Sequence, residues 1–152
     1  MKTSLLFILF ALISVPDSFK AKVIGVTSGD SIVVLLDDNS QLKIRLEGID
    51  CPELQQAYGD SAKQVIVALC FKKRVRVEKV GLDGYGRTLA FVYIDDLCLN
   101  KELLRLGYAW HYRKYNDDPE LAQLEVEARN AKVGLWQQDS LVAPWDFRNK
   151  KK

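Results

Sequence analysis

The stretch KVIGVTSGDSIVVLLDDNSQLKIRLEGI, residues 22–49, decides the fold. Val23, Ile24 and Val26 make one short apolar run, and Ser31 to Leu36 a second. In a third, reaching Ile49, Leu42, Ile44 and Leu46 alternate with Lys43, Arg45 and Glu47. A period of two puts alternate side chains on opposite faces, so these are strands with one face buried. Asp37-Asp38-Asn39-Ser40 is a cluster of turn formers, and the strands on either side of it should pair as a hairpin.

After Cys51-Pro52 the period changes. Ala62, Val65, Ile66 and Leu69 fall at i, i+3, i+4 and i+7, one face of a helix. Strand alternation returns from Arg74 to Val80 and again from Arg87 to Ile94, across a loop, Gly81 to Gly86, whose three glycines make it turn tightly. The last third is helical. Asn100 reads as the cap of a helix holding Leu103, Leu104 and Leu106 that stops at Gly107. Asp118-Pro119 reads as a cap and first helical residue, with Leu121, Leu124, Ala128 and Ala131 on one face before Gly134. The tail Pro144-Trp145-Asp146-Phe147-Arg148 shows no clear element. Five strands, one helix after the third and two at the end predict an α+β domain on a curled five-stranded sheet, for which an OB-type barrel is the natural candidate.

The chain of 152 residues is one domain's worth, without repeat or linker. At 48% hydrophobic and 28% charged, with 9 Gly and 4 Pro, it can fill a core, which excludes disordered and collagen-like classes. The 22 basic and 20 acidic residues leave a net charge of +2, so any binding of a polyanion must be local. Lys2 precedes an apolar run, Leu5 to Val15, of about 11 residues. That is short of the roughly 20 needed to span a bilayer and fits a secretory leader. Residues 1–21 are therefore expected to be a signal peptide and 22–152 the folded part, secreted or periplasmic, or membrane-anchored if the leader is retained. Cys51, Cys70 and Cys98 are odd in number, so at least one is free or pairs with another chain. The lone histidine, His111, has no ligand partner nearby in sequence, and no Gly-rich phosphate loop is present.

Several polar residues stand in unusual positions. Asp30 follows Gly29 at a strand start, Asp50 and Glu53 bracket Pro52 at a strand end, and Arg45 lies on the polar face of that strand. The hairpin brings Asp30 beside the Arg45–Asp50 segment, where two carboxylates and a main-chain carbonyl suit a hard cation such as calcium. The alternative at this level is that both aspartates are turn residues and Arg45 pairs with Glu47 on a solvated face. Arg87, after the glycine-rich turn, adds a second forked donor. A hard cation, a carboxylate to activate water and two arginines are an inventory for phosphoryl chemistry. Tyr85 and Tyr115 are either stacking platforms for bases or ordinary core and rim tyrosines.

Three segments resemble the staphylococcal nuclease (thermonuclease) family in its order and spacing: Gly29-Asp30-Ser31, Ile44 to Glu53, and Tyr85-Gly86-Arg87-Thr88-Leu89-Ala90. Asn100, Leu106-Gly107-Tyr108-Ala109 and Gly134-Leu135-Trp136 match as well, so the similarity runs from about Lys22 to Trp136. The resemblance implies an OB-fold barrel with three α-helices and a Ca2+-dependent phosphodiesterase acting on DNA and RNA, as a monomer, with 3′-phosphate products. By position it implies Asp30 and Asp50 as calcium ligands, the main-chain carbonyl of Cys51 as a third, Glu53 as general base, and Arg45 and Arg87 on the scissile phosphate. Tyr85 and Tyr115 fall at substrate-contact positions. The chain departs from the family in three places. The segment after Glu53 is short, Gly84 replaces a lysine, and the companion of Tyr115 is Arg113 with Tyr112 one position away. The competing function is a catalytically silent nucleic-acid- or protein-binding module of the same fold.

Overall fold

The computed structural model describes residues 17–150; the apolar run Leu5–Val15 and the last two lysines lie outside the described residues. In chain order the strands are β1 (Ser18–Ser28), β2 (Ser31–Leu35), β3 (Gln41–Leu46), β4 (Ile49–Asp50), β5 (Arg74–Leu82), β6 (Thr88–Ile94), β7 (Leu97–Cys98) and β8 (Trp110–His111). The helices are α1 (Gly59–Cys70), α2 (Leu99–Arg105), α3 (Pro119–Ala131) and α4 (Pro144–Asn149), with a 3-10 turn at Gly134–Gln137. The long strands run in the order β3-β2-β1-β5-β6, and β6 pairs in parallel with β3, which closes a five-stranded mixed barrel. The α+β, OB-type expectation holds.

The barrel closes because period-two residues from every strand share one interior. Ala21, Val23, Ile32, Val34, Ile44, Leu46, Val75, Val77, Ala90 and Val92 are all buried. Ala62, Ile66 and Cys70 of α1, Leu99, Leu103 and Leu104 of α2 and Leu121 of α3 complete the same cluster. All three cysteines are unpaired and buried. Asn100 is not the cap of α2, a position held by Cys98. Its side chain is instead fully buried at the barrel seam, accepting from the Val92 amide at 3.1 Å and donating to the carbonyls of Glu47 and Ala90 at 2.9 and 3.1 Å. A buried amide satisfied on both ends replaces ladder bonds that β6 cannot make there.

Helix α2 ends as the sequence indicates. Gly107 adopts φ +75°, its amide donates to Leu104, and the Tyr108 amide donates to Leu103, the paired bonds of a Schellman motif. A Cβ on Gly107 would lie 2.3 Å from the Val133 carbonyl oxygen, so the position is closed to other residues on sterics as well as conformation.

Both ends of the described chain differ from the sequence reading. The first strand begins at Ser18, not near Lys22. Ser18 to Ala21 pair with Glu78 to Val75 on β5, and Ala21 is fully buried. Phe19, Ala21 and Val23 alternate with Lys20 and Lys22, so the strand pattern runs back into residues assigned above to the leader. A chain begun at Lys22 is expected to be about 2 kcal/mol or more less stable than one begun at Asp17, from the lost burial of Phe19 and Ala21. Comparing their urea midpoints checks this. The tail also forms an element after all: Pro144 starts α4, a fourth helix.

Candidate active site

Asp30 sits in the β1–β2 turn. The register of β2 on β3 sets Ser31 opposite Arg45, and the Leu46 amide donates to the Asp30 carbonyl at 2.8 Å. Oδ1 accepts from the hydroxyls of Ser28 and Ser31 at 2.9 and 3.3 Å, and Oδ2 from the Cys51 amide at 2.7 Å. One carboxylate thus clamps the chain after β4 to the β1–β2 turn.

Arg45 lies on β3 and is mostly buried. Nη1 donates to the carbonyls of Leu46 and Ile49, both at 2.8 Å. Nη2 donates to Asp50 Oδ1 at 3.0 Å and lies 3.4 Å from Asp30 Oδ2. Arg45 therefore pairs with the two aspartates, and the alternative pairing with Glu47 is overturned. Glu47 turns away and accepts from Asn116 Nδ2 at 3.3 Å. Burial opposes the Arg45 charge, but Asp30 and Asp50 outweigh it and raise its pKa above the ordinary arginine value.

Asp50 reaches this spot because the third strand does not run unbroken to Ile49. Gly48, at φ +75°, ends it, and Ile49–Asp50 leaves the barrel to pair with Trp110–His111. The Asp50 side chain is only 2% exposed. Burial pushes its pKa up, and hydrogen bonds from Arg148 and the charge of Arg45 oppose that rise without cancelling it. Burial, reinforced by the charge of Asp30, pushes the Cys51 thiol well up, so the thiol stays neutral at ordinary pH. Glu53 follows on the same segment, its amide donating to Gln56 Oε1 at 2.8 Å.

Arg87 comes from the opposite wall. Asp83 Oδ1 accepts from the amides of Tyr85 and Arg87, both at 2.9 Å, and Asp83 Oδ2 accepts from Arg87 Nε at 2.6 Å. Burial alone would raise the Asp83 pKa, but these donors win and lower it. Arg87 Nη1 donates to Ser31 Oγ at 3.1 Å, so the loop is tied across to the Asp30 turn. These bonds occupy two of the five N–H donors of the guanidinium, leaving the rest for an anion.

All eight residues singled out from sequence, Asp30, Arg45, Asp50, Cys51, Glu53, Tyr85, Arg87 and Tyr115, line one cleft of about 1190 Å³. Tyr85 is 90% and Tyr115 66% exposed, which removes the core reading of both; the Arg87 guanidinium lies over the Tyr85 ring at 5.7 Å and Lys114 Nζ over the Tyr115 ring at 5.3 Å. Tyr112 also lines the cleft and meets Tyr115 edge to face at 4.9 Å. Among the described residues no group of three or more His, Cys, Asp or Glu side chains is arranged to hold a metal. Of the carboxylates that line the cleft, Asp30 and Asp50 both reach the same Arg45 nitrogen.

Arg148 was not anticipated. It projects from α4, where Nη2 donates to Asp50 Oδ2 at 2.7 Å and Nη1 donates to Asp50 Oδ1 at 3.2 Å and Glu53 Oε1 at 2.7 Å. Burial works against its charge, but the bonds to Asp50 and Glu53 prevail and raise its pKa. The local signal was Pro144 at a first helical position; nothing local announces a partner about a hundred residues away.

Comparison with known proteins agrees with this geometry. Residues 43–138 match the family described as staphylococcal nuclease homologue. An "uncharacterized endonuclease" of Haemophilus influenzae is 36% identical over 152 residues, covering 99% of this chain and 85% of its own. One of the same description from Escherichia coli O157:H7 is 40% identical over 131 residues, 86% of this chain and 85% of its own. Protein ParB of Escherichia coli is 36% identical over 140 residues, 85% of this chain and 78% of its own. On the family match and on relatives aligned over most of both lengths, this chain belongs to the staphylococcal nuclease homologue family.

Proposed function

We propose that the protein is a calcium-dependent nuclease that hydrolyses phosphodiester bonds of DNA and RNA, water attacking in line with the departing 5′ oxygen to leave 3′-phosphate ends. The observation that carries this reading is the convergence of Arg45, Glu53 and Arg87 with Asp30 and Asp50 in one cleft of a member of this family. The donor set fits calcium in kind. Asp30 and Asp50 would hold the ion through hard carboxylate oxygens and the Cys51 main-chain carbonyl would join them; the Cys51 amide, donating to Asp30 Oδ2 at 2.7 Å, keeps that segment beside Asp30. When bound, the ion supplies Lewis-acid polarisation of the phosphate.

The chain's own groups do the rest. Glu53 accepts the proton of the attacking water. Arg87, held by Asp83 and Ser31, is a preorganised donor to phosphate oxygens as charge builds in the transition state, and Arg45, whose Nη1 is spent on two carbonyls and whose Nη2 faces Asp50 and Asp30, keeps Nε for the same role. No protein nucleophile is required. The exposed rings of Tyr85 and Tyr115 stack on flanking bases. No helix among the described residues is long and apolar enough to cross a membrane. We read the protein as an exported monomer whose leader is removed.

The test is direct. Single-stranded DNA and RNA are incubated at mildly alkaline pH with the protein and either calcium or a chelator, and the ends are mapped. Calcium-dependent cleavage with 3′-phosphate ends is expected. Binding of oligonucleotide without cleavage in calcium would identify the silent binding module instead.

A further inference from the structure

Arg148 occupies the two carboxylates that the proposed chemistry most needs. We propose that Arg148 is an internal cation competing with calcium for Asp50 while it ties up Glu53, and that α4 is an autoinhibitory latch which releases when the ion binds. The inference rests on the calcium reading above and goes beyond it.

Asp50 Oδ1 already accepts from Arg45 Nη2 at 3.0 Å and Arg148 Nη1 at 3.2 Å, and Oδ2 accepts from Arg148 Nη2 at 2.7 Å. A carboxylate oxygen has two lone pairs, so Oδ1 is saturated. Calcium at about 2.3–2.6 Å from either oxygen would sit against the Arg148 donors bound to the same group, like charge against like charge. The ion and the guanidinium therefore exclude each other. Glu53 Oε1, paired with Arg148 Nη1 at 2.7 Å, is held in the same grip, so closing the latch also ties up the group assigned to proton transfer.

The latch is built to come off without opening the barrel. Helix α4 has six residues, too few to hold itself together in water. Neither apolar cluster of the molecule contains a residue of α4. Besides Arg148 it is seated by its buried Pro144, by Phe147 and by Trp145, which stacks on Tyr112 at 5.3 Å with planes 5° apart and meets Trp110, at the edge of the second cluster, edge-on at 5.6 Å. The segment before it is tied by Gln56 Nε2, which donates to the Val142 carbonyl at 2.9 Å while Gln56 Oε1 accepts from the Glu53 amide. The same glutamine thus links the latch to the catalytic segment. Arg148 is 40% exposed on its side chain, so water reaches the pair and the exchange of partners has a path.

Calorimetric titration with calcium of the full chain, of Arg148→Gln and of Asp50→Asn, with hydrogen exchange of the α4 amides, tests the proposal. A closed latch lowers apparent affinity by the fraction of molecules that are open. Arg148→Gln is expected to bind calcium about tenfold more tightly than the unmodified chain. Calcium is expected to accelerate exchange of residues 144–149 in the unmodified chain, whereas in Arg148→Gln that exchange is fast before any is added. Arg148→Lys, which keeps the charge without the fork, falls between them. Equal or weaker calcium affinity in Arg148→Gln, with binding still lost in Asp50→Asn, overturns the latch and leaves the calcium site standing. Failure of every form to bind calcium overturns both.

Discussion

Replacing Arg87 by alanine is expected to lower turnover of a single-stranded oligonucleotide by about 10²–10³-fold, the usual consequence of removing one preorganised donor from a developing charge. The fold should survive. The Arg87 side chain is about a third exposed, stands at the mouth of β6 and contributes nothing to the barrel core. Its value lies in being held. Asp83 takes Nε and the backbone amide, Ser31 takes Nη1, and the guanidinium is thereby fixed before substrate arrives. The loss should fall on kcat rather than KM, because the developing charge exists only in the transition state. Arg87→Lys should recover little, since an ammonium cannot reproduce two anchored donors and a free edge. Single-turnover cleavage in saturating calcium, with a thermal melt to confirm folding, decides it. Near-normal kcat in the alanine variant removes Arg87 from the mechanism.

Arg45→Ala is expected to be the most destabilising change at the site, costing roughly 3–5 kcal/mol, as breaking a buried ion pair does when its partners stay behind. Four acceptors lose a donor together: the Leu46 and Ile49 carbonyls, Asp50 and the neighbouring Asp30. Two carboxylates are then left facing each other beside a buried thiol. Arg148 still pairs with Asp50, which limits the loss and makes the double variant Arg45→Ala/Arg148→Gln worse than the sum of its parts. The deficit has a pH signature. Burial already holds Asp50 above its ordinary value of 3.8, and losing Arg45 raises it further. A raised carboxyl contributes stability that is fully present below the unfolded value and is lost as pH rises through the folded value. The destabilisation should therefore be smallest in acid and grow as Asp50 ionises. Urea unfolding at several pH values, with the slope unchanged, measures it. A pH-independent loss under about 1 kcal/mol would show that Arg45 is not the counter-ion of a buried pair.

These two arginines were legible in the sequence for different reasons than the residues that hold them. Arg45 stood out because a charged residue alternated with leucines on a strand ending in Asp50, and Arg87 because it followed a glycine-rich turn. Asp83 did not stand out, because one aspartate among turn residues carries no sign of which donors it will collect. Gly48 was visible as a glycine but not as the break that sends Ile49–Asp50 away from β3 to β8. Asn100 fits a helix cap in the sequence because short polar residues favour that position. The burial that turned it into a seam bond depends on β3 and β6 closing in parallel. The two exposed tyrosines show the same limit: an aromatic residue in a loop is compatible with either burial or display until its neighbours are in place.

The sequence by itself determined the strand pattern, the β2–β3 hairpin, the Schellman end of α2 and the group of Asp30, Arg45, Asp50, Glu53 and Arg87. Each of these rests on local periodicity, turn chemistry or residues brought together by one register. The tertiary structure alone decided that β1 starts at Ser18, that the tail is a helix, and that Arg148 holds Asp50 and Glu53. Those outcomes depend on surfaces contributed from opposite ends of the chain. An ion pair spanning 98 positions forms only after the barrel and the Trp145 seat have set both partners within 3 Å, and no spacing rule along the chain carries that information.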